Sequence, residues 1–368
     1  MLERQQPEGS ALPETIADGV YFNLDADDYH RDPALGSGDV GLLLKHPGDY
    51  WWASWMNPKR RRVETDYQAW GRAFHVLIVE GEETFDARYF RGPSKHDFPG
   101  VMVTMPDLRK WLQLHAFAVS GNKDTLEKRV LAADPTAPVW SEIERRAEVQ
   151  ASGRIVLDPQ TYDEIVVSSA FITKNPSCAK AFTNGYPEVS VFYTVGEMYV
   201  DGHGNWPVRC KARFDYVKYR AVVDLKSIRP WNKMKEFDVA INDAISGYGY
   251  DVQAAHYCNA RDRMADLIRE GKVYGQVEQA WLHRFLELSR EEYDFIWIFY
   301  QADGAPISRG VEFRKSDDYA IAAANDVSRA LERYRRYMSV FGTLQWVDVQ
   351  PRRRLTGEDL RTRLATIV

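Results

Sequence analysis

A short β-branched segment that ends in an acid and a lysine constrains this chain most. Residues 222–226, Val-Val-Asp-Leu-Lys, have the composition of a strand, and side chains two apart on a strand project from the same face. Asp224 and Lys226 should therefore lie side by side. Asp215 precedes this segment, and a turn centred on Tyr219-Arg220 would place it opposite Asp224. Since Tyr-Arg is not a favoured two-residue turn, this hairpin register is an assumption.

Two carboxylates beside an ammonium group suit one kind of chemistry. Carboxylate oxygens bind hard divalent cations, and an ammonium group can orient a water molecule or neutralise charge that develops on a phosphate. An Asp-x-Lys pair on a strand is more often a solvated surface pair. The pattern becomes informative only together with the rest of the chain.

Length and composition set outer bounds. The 368 residues, 45% hydrophobic and 27% charged, are typical of a soluble globular protein with one large or two moderate cores. No apolar run is long enough to span a bilayer, and no signal-like segment opens the chain. The three cysteines (Cys178, Cys210 and Cys258) match no zinc or iron–sulfur spacing. We expect a reduced, cytoplasmic protein without membrane contact or a structural metal centre.

The charge pattern is ambiguous about partners. The net charge is -5, yet basic residues cluster at 59–62 and at 352–354. A groove that binds nucleic acid can be locally basic while an acidic site lowers the total. Each basic run could equally be a solvated loop, so net charge does not decide between these readings.

The chain divides into five segments. We expect a poorly ordered start over residues 1–20, a helical part over 21–100, a small insert over 101–135, the main core over 136–345 and a tail over 346–368. Ser37 is a reasonable N-cap for a first helix that runs to about Lys45 and stops at His46-Pro47. The aromatic residues that follow, at positions 50, 51, 52 and 55, have the spacing of a core stripe rather than a base-stacking platform.

A second helix is predicted from about Asp66 to Glu80. It contains the sequence Gly-Arg-Ala-Phe-His over residues 71–75, which places Gly71 and His75 one turn apart on the same face. A glycine there would let the helix approach a neighbour closely, and that neighbour could carry the acidic strands. The alternative for His75 is a core histidine with one satisfied ring nitrogen.

Residues 101–134 have the pattern of a separate helical hairpin. Two helices with apolar stripes are separated by a break at residues 119–123. Five basic residues are expected on its outside: Arg109, Lys110, Lys123, Lys128 and Arg129. With Gly121-Asn122-Lys123 at its centre, this insert resembles a SAP-type helix–extension–helix module. Such modules bind duplex DNA through backbone contacts. A plain helical hairpin is the alternative.

Strands dominate from Glu188 to Ile228, and Val189, Val191 and Tyr193 alternate as in a half-buried strand. Residues 201–205 are a clear turn, in which His203 is a loop residue. Further strand candidates lie between Trp281 and Tyr300. A long helix from about Asp317 to Met338 should close the domain.

Read in chain order, a set of polar residues forms a more specific pattern than any of its members. The set is a helical His, a strand Glu, a hairpin Asp with Asp-x-Lys, and a helical Gln-x-x-x-Tyr: His75, Glu188, Asp215, Asp224, Lys226, Gln253 and Tyr257. In these motifs the chain resembles the PD-(D/E)XK nuclease superfamily, and within it the RecE-type exonuclease VIII group of phages, which is related to the RecB nuclease domain. The resemblance covers most of residues 35–300.

Local sequences support this resemblance. Residues 35–47 are similar to the Ser-x-Ser…Leu…Pro entry helix of the group, residues 71–75 to its Gly-x-x-x-His motif, and residues 253–257 to its Gln-x-x-x-Tyr helix. Two departures exist, because no proline precedes Asp215 and Gly36 stands where the group has serine. Related nucleases with a four-cysteine iron–sulfur cluster are disfavoured, since there are too few cysteines.

The resemblance implies an α/β fold with a restriction-endonuclease-like core, in which helices flank a central mixed β-sheet, plus a small helical insert. It implies one or two Mg²⁺ ions, for which Mn²⁺ can substitute. The ligands would be Asp215, Asp224 and the backbone carbonyl of Leu225, with His75 and Glu188 completing the set. Lys226 would aid the attacking water. The alternative for Glu188 is a structural strand acid.

The resemblance also implies a substrate and partners. Gln253 and Tyr257 would hold the backbone of double-stranded DNA, which would be digested from its ends, 5′ to 3′, leaving 3′ overhangs. Related proteins form homo-oligomeric rings and act with a single-strand annealing recombinase in phage-type recombination. Two alternatives remain open: a structure-selective or restriction-like endonuclease with the same metal site, and a non-catalytic DNA-binding protein on a nuclease scaffold.

Overall fold

The structure, a computed structural model, describes residues 15–60, 66–196, 207–229, 235–302 and 304–347; for residues 66–69 it describes the backbone alone. Several predictions therefore lie outside the described residues. They concern most of the first segment, half of the basic run 59–62, the loop with His203, the basic run 352–354 and nearly all of the tail.

The described residues form thirteen α-helices, a π-helical turn and a 3₁₀ turn. The helices are α1 (Ala26–Arg31), α2 (Ser37–Lys45), α3 (Pro47–Ala53), α4 (Asp66–His75), α5 (Glu82–Arg88), α6 (Met105–Leu114), α7 (Lys123–Ala133), α8 (Trp140–Ala151), α9 (Pro159–Thr173), α10 (Phe237–Tyr248), α11 (Tyr250–Arg269), α12 (Gln279–Leu288) and α13 (Asp318–Phe341). The π-helical turn, Val76–Glu80, continues directly from α4, and the 3₁₀ turn spans Lys95–Asp97.

Nine strands form two sheets. The strands are β1 (Gly19–Tyr21), β2 (Tyr89–Arg91), β3 (Ile155–Leu157), β4 (Tyr186–Val195), β5 (Val208–Val217), β6 (Ala221–Ile228), β7 (Val273–Tyr274), β8 (Asp294–Gln301) and β9 (Ser308–Phe313). Seven of them form a mixed sheet in the order β7-β1-β4-β5-β6-β8-β9, with β1–β7 and β6–β8 parallel and the other neighbours antiparallel. The two short strands β2 and β3 pair in parallel.

Helices cover both faces of the large sheet, so the predicted α/β class with a central mixed sheet flanked by helices is confirmed. On one face α11, α13 and α2 bury apolar side chains such as Phe214 and Phe295. On the other face α4, the π-helical turn and α9 bury Phe74, Ile165 and Leu225. Because helices cover both faces of the sheet, all residues of β4 from Val189 to Tyr193 are buried, and buried residues do not alternate with exposed ones.

Three local expectations need correction. The N-cap of α2 is Gly36 rather than Ser37. The Gly36 N–H donates to the carboxylate of Asp39 in the first turn at 2.9 Å, so a side chain of the helix itself satisfies this backbone donor. Trp281 lies in α12 rather than in a strand. In the aromatic stripe Tyr50 is buried as expected, but Trp52 is 65% exposed. In addition, residues 19–21, within the segment expected to be poorly ordered, form β1.

The insert is a helical hairpin with a core of its own. Leu108, Leu112, Leu126 and Val130 pack together between α6 and α7. A parallel bridge between Met102 and Val139 closes its base. Because both helices contribute to one small core, the hairpin is a distinct structural unit.

One basic residue of the insert does not lie as predicted. The Arg129 guanidinium donates to the carbonyl oxygens of Ala118 and Ser120, so it closes the loop between the two helices instead of pointing outward. Arg109, Lys110, Lys123 and Lys128 are exposed. No helix among the described residues is both long and apolar enough to cross a membrane.

Candidate functional site

The β5–β6 hairpin has the predicted register. Tyr216 pairs with Val223, Val217 pairs with Val222, and the Lys218 N–H donates to the Ala221 carbonyl at 2.8 Å. The two-residue turn is therefore centred at residues 219 and 220. Continued by one residue, this register places Asp215 opposite Asp224.

The two strands separate at these acids. The paired residues of the hairpin end at Tyr216 and Val223, whereas β6 pairs with β8 along its whole length. In place of a backbone carbonyl, a carboxylate oxygen of Asp215 accepts the Leu225 N–H at 2.7 Å. A side chain has thus replaced a ladder bond, which opens a gap between β5 and β6 where the acids meet.

Asp224 is the most deeply buried acid of the site. Its side chain is 1% exposed, and Lys226 contacts one of its oxygens as an ion pair. Neither oxygen has a hydrogen-bond partner of good geometry among the described residues. Buried carboxylate oxygens normally have such partners, so Oδ1, the oxygen that Lys226 does not contact, is unusually available to a cation.

His75 lies between two further carboxylates. Its Nδ1 is 3.5 Å from a Glu188 oxygen, and its Nε2 is 3.3 Å from an Asp215 oxygen. One ligand atom from each of the three residues lies within 4.8 Å of the others. The last residue of α4, a residue of β4 and a residue of β5 thus form a candidate three-ligand metal site.

The backbone of Glu188 is strained. Its φ is +53°, a left-handed conformation that a non-glycine residue seldom adopts within a strand. The β4–β5 ladder pairs residues 187 with 216 and 189 with 214, and it omits Glu188 and Asp215 between them. Such conformations cost roughly 1–3 kcal/mol and cluster at functional sites. The strained residue is thus the one whose carboxylate lies beside His75.

Arg213 is a member of the site that sequence reasoning missed. Its guanidinium forms a salt bridge with the Glu188 carboxylate and also donates to the Leu24 carbonyl at 2.8 Å. Arg213 lies two residues before Asp215 on β5, and this spacing puts both side chains on one face. The spacing between Arg213 and Asp215 could have indicated that Arg213 belongs to the site, but an arginine on a strand is too common to be diagnostic.

Electrostatics in the three-ligand cluster favour a proton on His75. Burial opposes its charged form, but the carboxylates of Asp215 and Glu188 outweigh burial and raise the pKa of His75 to about 9. Burial also acts on Asp215, yet His75 and Lys226 together lower the pKa of Asp215. Burial raises the pKa of Glu188 despite the opposing effects of His75 and Arg213.

Asp224 and Lys226 form a coupled pair. Burial raises the pKa of Asp224 to about 6, with Lys226 opposing and Asp215 adding to the shift. Burial disfavours the charged form of Lys226, but the carboxylates of Asp224 and Asp215 prevail and raise its pKa. Above pH 6, both acids of the hairpin are therefore ionised beside a charged lysine.

The helix α11 lies against this site. Tyr257 is buried, and burial followed by the charge of Asp224 raises the pKa of its hydroxyl. Gln253, one turn earlier, interacts with the same hydroxyl. The predicted Gln-x-x-x-Tyr pair is thus brought to the acids, and no observation tests its contact with DNA.

A cleft of about 500 Å³ leads away from the acids. Glu188, Asp215 and Tyr257 line its inner end, and the first turn of α2 lines another wall. Arg31 and Arg60 supply positive charge to its lining. Basic and acidic side chains both line the cleft, since Asp32 and Asp39 are also present.

The backbone carbonyl of Leu225 also faces the gap. The N–H and C=O of one strand residue point to the same edge of the strand. The carbonyl of Arg220 accepts a hydrogen bond from Asp294 of β8, and that of Ile228 accepts one from Ala302, the residue after β8, so even-numbered residues of this segment face β8. Leu225, whose N–H donates to Asp215, faces β5. Its carbonyl oxygen therefore points to the side where the carboxylates lie.

This donor set fits a hard divalent cation. Carboxylate and carbonyl oxygens with one imidazole are ligands that Mg²⁺ or Mn²⁺ accepts, and Oδ1 of Asp224 is available. His75 would have to lose its extra proton before either nitrogen could ligate. The basic residues of the insert are elsewhere: among the described residues that line the cleft, none belongs to α6 or α7.

Comparisons with known proteins assign no family to this chain. No family model matches the sequence, and no curated protein matches it. Among solved structures, the chain is similar to a crystal structure named "Putative exonuclease" from Eubacterium rectale, with 15% sequence identity, 74% of this chain and 86% of that chain covered, and a TM-score of 0.29. A TM-score this low does not establish a shared fold, so the likeness supports no functional conclusion.

Proposed function

We propose that this protein is a metal-dependent deoxyribonuclease with a PD-(D/E)XK core, which hydrolyses phosphodiester bonds of double-stranded DNA. One observation carries the proposal: His75, Glu188, Asp215, Asp224 and Lys226, which come from four separate elements, meet where β5 and β6 separate. A structural role explains neither the strained Glu188 nor the buried Oδ1 of Asp224, the oxygen that Lys226 does not contact.

Each residue has a role in the proposed reaction. Asp215, Asp224 and the Leu225 carbonyl would hold Mg²⁺, with Glu188 and deprotonated His75 completing the set. The bound ion would lower the pKa of a water molecule and offset charge on the phosphate. Lys226 would orient that water, since its ammonium group is fixed by Asp224 next to the ligands. Arg213 would position Glu188 through their ion pair.

The finer functional assignment rests on the motif resemblance. We propose an exonuclease that digests from DNA ends, 5′ to 3′, as a homo-oligomeric ring, together with a single-strand annealing recombinase. The cleft beside the acids, with Arg31 and Arg60 in its lining, is compatible with a DNA strand that enters the site. Gln253 and Tyr257 would contact the backbone of that strand.

The substitution Asp224→Ala tests the site. Because metal chemistry contributes several kcal/mol to the barrier, loss of this ligand should reduce Mg²⁺-dependent digestion of linear duplex DNA about a thousandfold or more. DNA binding without metal should persist. A matched control is Asp266→Ala, an exposed acid of α11 in a surface ion pair with Arg269, which should digest normally.

Two outcomes would contradict the proposal. Undiminished digestion by Asp224→Ala would eliminate the site assignment. Metal-independent DNA binding without any digestion by the wild-type protein, over a range of Mg²⁺ and Mn²⁺ concentrations, would favour the non-catalytic DNA-binding alternative.

A further inference from the structure

One face of α11 extends the site toward solvent. Tyr257, Gln253 and Tyr250 lie at positions i, i-4 and i-7 and therefore share a helix face. Tyr257 is buried against the acids, and Tyr250 lies at the first turn of the helix. The Lys226 ammonium is 5.1 Å from the centre of the Tyr250 ring. This face therefore forms a path from the acids, past Lys226, to the start of α11.

An exposed tyrosine stands at the end of that path. Tyr248 is the last residue of α10, and its side chain is 73% exposed. Between it and Tyr250 lies Gly249, with φ of +67°, a left-handed conformation that lets α10 end and α11 begin without a loop. The sharp junction brings the two rings together, with centres 5.6 Å apart and planes 39° from parallel.

A groove adjoins the exposed ring. It has a volume of about 250 Å³ and is lined by Tyr248, Lys235 and Arg229, among others. Arg229 directly follows β6, three positions after Lys226, so about 10 Å of strand separates them. Lys235 forms an ion pair with Asp243, which also lines the groove. Aromatic and basic groups thus lie together next to the acidic site.

We propose that Tyr248, backed by Tyr250, is a stacking subsite for a nucleobase of the strand being cleaved. The proposal rests on the proposed nuclease function and adds a determinant of substrate binding to it. Bases stack on aromatic rings irrespective of sequence, and nearby cations hold the phosphates. The Tyr250 ring centre is 5.1 Å from the Lys226 ammonium, and the Tyr248 ring centre is a further 5.6 Å away. At a rise of about 3.4 Å per nucleotide, this separation corresponds to the second or third nucleotide from the scissile phosphate.

Packing does not account for Tyr248, because most of its ring faces solvent. An apolar partner protein would suit the groove less well, since Arg229 and Lys235 border it. The occupant that fits both features is an unpaired nucleotide: a flat apolar base with an anionic phosphate attached.

Substitution of Tyr248 tests the subsite by steady-state digestion of linear duplex DNA. Stacking is worth about 1–3 kcal/mol per base, and for an exposed ring we expect the lower end, so Tyr248→Ala should raise KM about fivefold to tenfold. The Mg²⁺ concentration at half-maximal rate should not change. Tyr248→Phe keeps the ring and should stay near the wild-type value. Tyr274→Ala, an exposed tyrosine of β7 four strands away from β6, is the matched control.

A binding measurement separates stacking from other causes of a higher KM. In an Asp224→Asn background, which keeps the DNA intact, 2-aminopurine at the second or third nucleotide from the end should be quenched on binding. The quenching should be lost with Tyr248→Ala and kept with Tyr248→Phe.

The outcomes distinguish this inference from the function on which it rests. If the wild-type protein digests no DNA, the nuclease proposal fails and the subsite fails with it. If digestion is normal but Tyr248→Ala leaves KM within twofold and quenching intact, the subsite alone is wrong. Equal defects in the Ala and Phe variants would point to a lost hydroxyl contact and would also overturn stacking.

Discussion

At the residue scale, the site is a balance of buried charges. Three acids, Glu188, Asp215 and Asp224, are matched by Arg213, Lys226 and a protonated His75. Removing any one partner leaves a charge in a poorly solvated place, which is costly. A divalent cation can enter this arrangement most easily if it takes the place of a positive charge already present, and the proton on His75 is the one that can leave.

Metal affinity should therefore depend on pH. Because the pKa of His75 is raised to about 9 in the metal-free protein, binding through its imidazole below that pH must release a proton. With one proton released, Mg²⁺ affinity should rise about tenfold per pH unit from pH 7 to about 9 and then level off. Isothermal titration calorimetry at pH 7, 8 and 9 measures this slope. His75→Asn should flatten it, whereas His283→Asn, an exposed histidine of α12, should not.

Without metal, the contribution of His75 to the free energy of unfolding should fall as the pH rises, whereas the Mg²⁺ affinity should rise. The folded-state pKa of His75, about 9, lies above its ordinary value of 6.5. Its ion pairs therefore contribute fully below pH 6.5, and that contribution is lost as the pH rises through 9. A pH-independent affinity for Mg²⁺ between pH 7 and 9 would show that His75 is not a ligand.

Residues differ in how far the sequence could predict them. Asp215, Asp224 and Lys226 followed from strand alternation and a turn position, which depend on local geometry alone. The contact between His75 and Glu188 depends on how α4 packs across the sheet, and only the motif resemblance indicated it. Arg213 was missed because its contact with Glu188 joins two strands whose register the sequence did not give.

At the element scale, local sequence signals predicted where the insert's helices lie better than they predicted the surroundings of individual side chains. The two helices of the insert were predicted from apolar spacing, and Asn122 caps the second by accepting the Thr125 N–H at 2.9 Å. The prediction that Arg129 points outward was wrong, because its guanidinium donates to two loop carbonyls rather than to solvent. Trp281 was wrongly placed in a strand because aromatic residues favour strands, whereas here the indole packs between Phe22 and Phe285 from a helix.

The insert allows a prediction about DNA affinity. Lys123 and Lys128 are exposed. Lys128 forms a surface ion pair with Asp124, which contributes little to stability, whereas Lys123 pairs with Glu127, whose side chain is 15% exposed. If each lysine contacts one phosphate, replacing both by glutamate should weaken DNA binding. It should also reduce the slope of log affinity against log salt by about 1.8.

The control for that experiment carries the same charge change elsewhere. Replacing Arg269 and Lys272 by glutamate removes two surface cations that are also ion-paired, and it alters net charge equally. If the two double variants weaken DNA binding equally, the lysines of the insert act only through the net charge of the protein. No effect of either would make the insert a structural hairpin.

At the scale of the whole molecule, the site depends on the complete fold. His75 comes from the helical layer on one face of the sheet, whereas Tyr257 comes from the layer on the other face. Both lie near Asp215 and Asp224, where β5 and β6 separate in the middle of the seven-stranded sheet, between β4 and β8. The class of fold was predicted from the motif resemblance, but this separation was not, because it depends on a side chain that replaces a ladder bond.

The form of the DNA substrate decides between the two nuclease readings. An enzyme that works from ends needs a terminus to enter the cleft, whereas an endonuclease needs only a duplex. We expect linear duplex DNA to be degraded with Mg²⁺ while covalently closed circles stay intact over the same time. With an end label, the 5′-labelled nucleotide should be released early and the 3′-labelled strand should persist as an overhang. Gel filtration of the same preparation should show an assembly of more than one chain. Nicked or linearised circles would instead support the endonuclease, and early release of the 3′ label would reverse the proposed polarity while leaving the metal site in place.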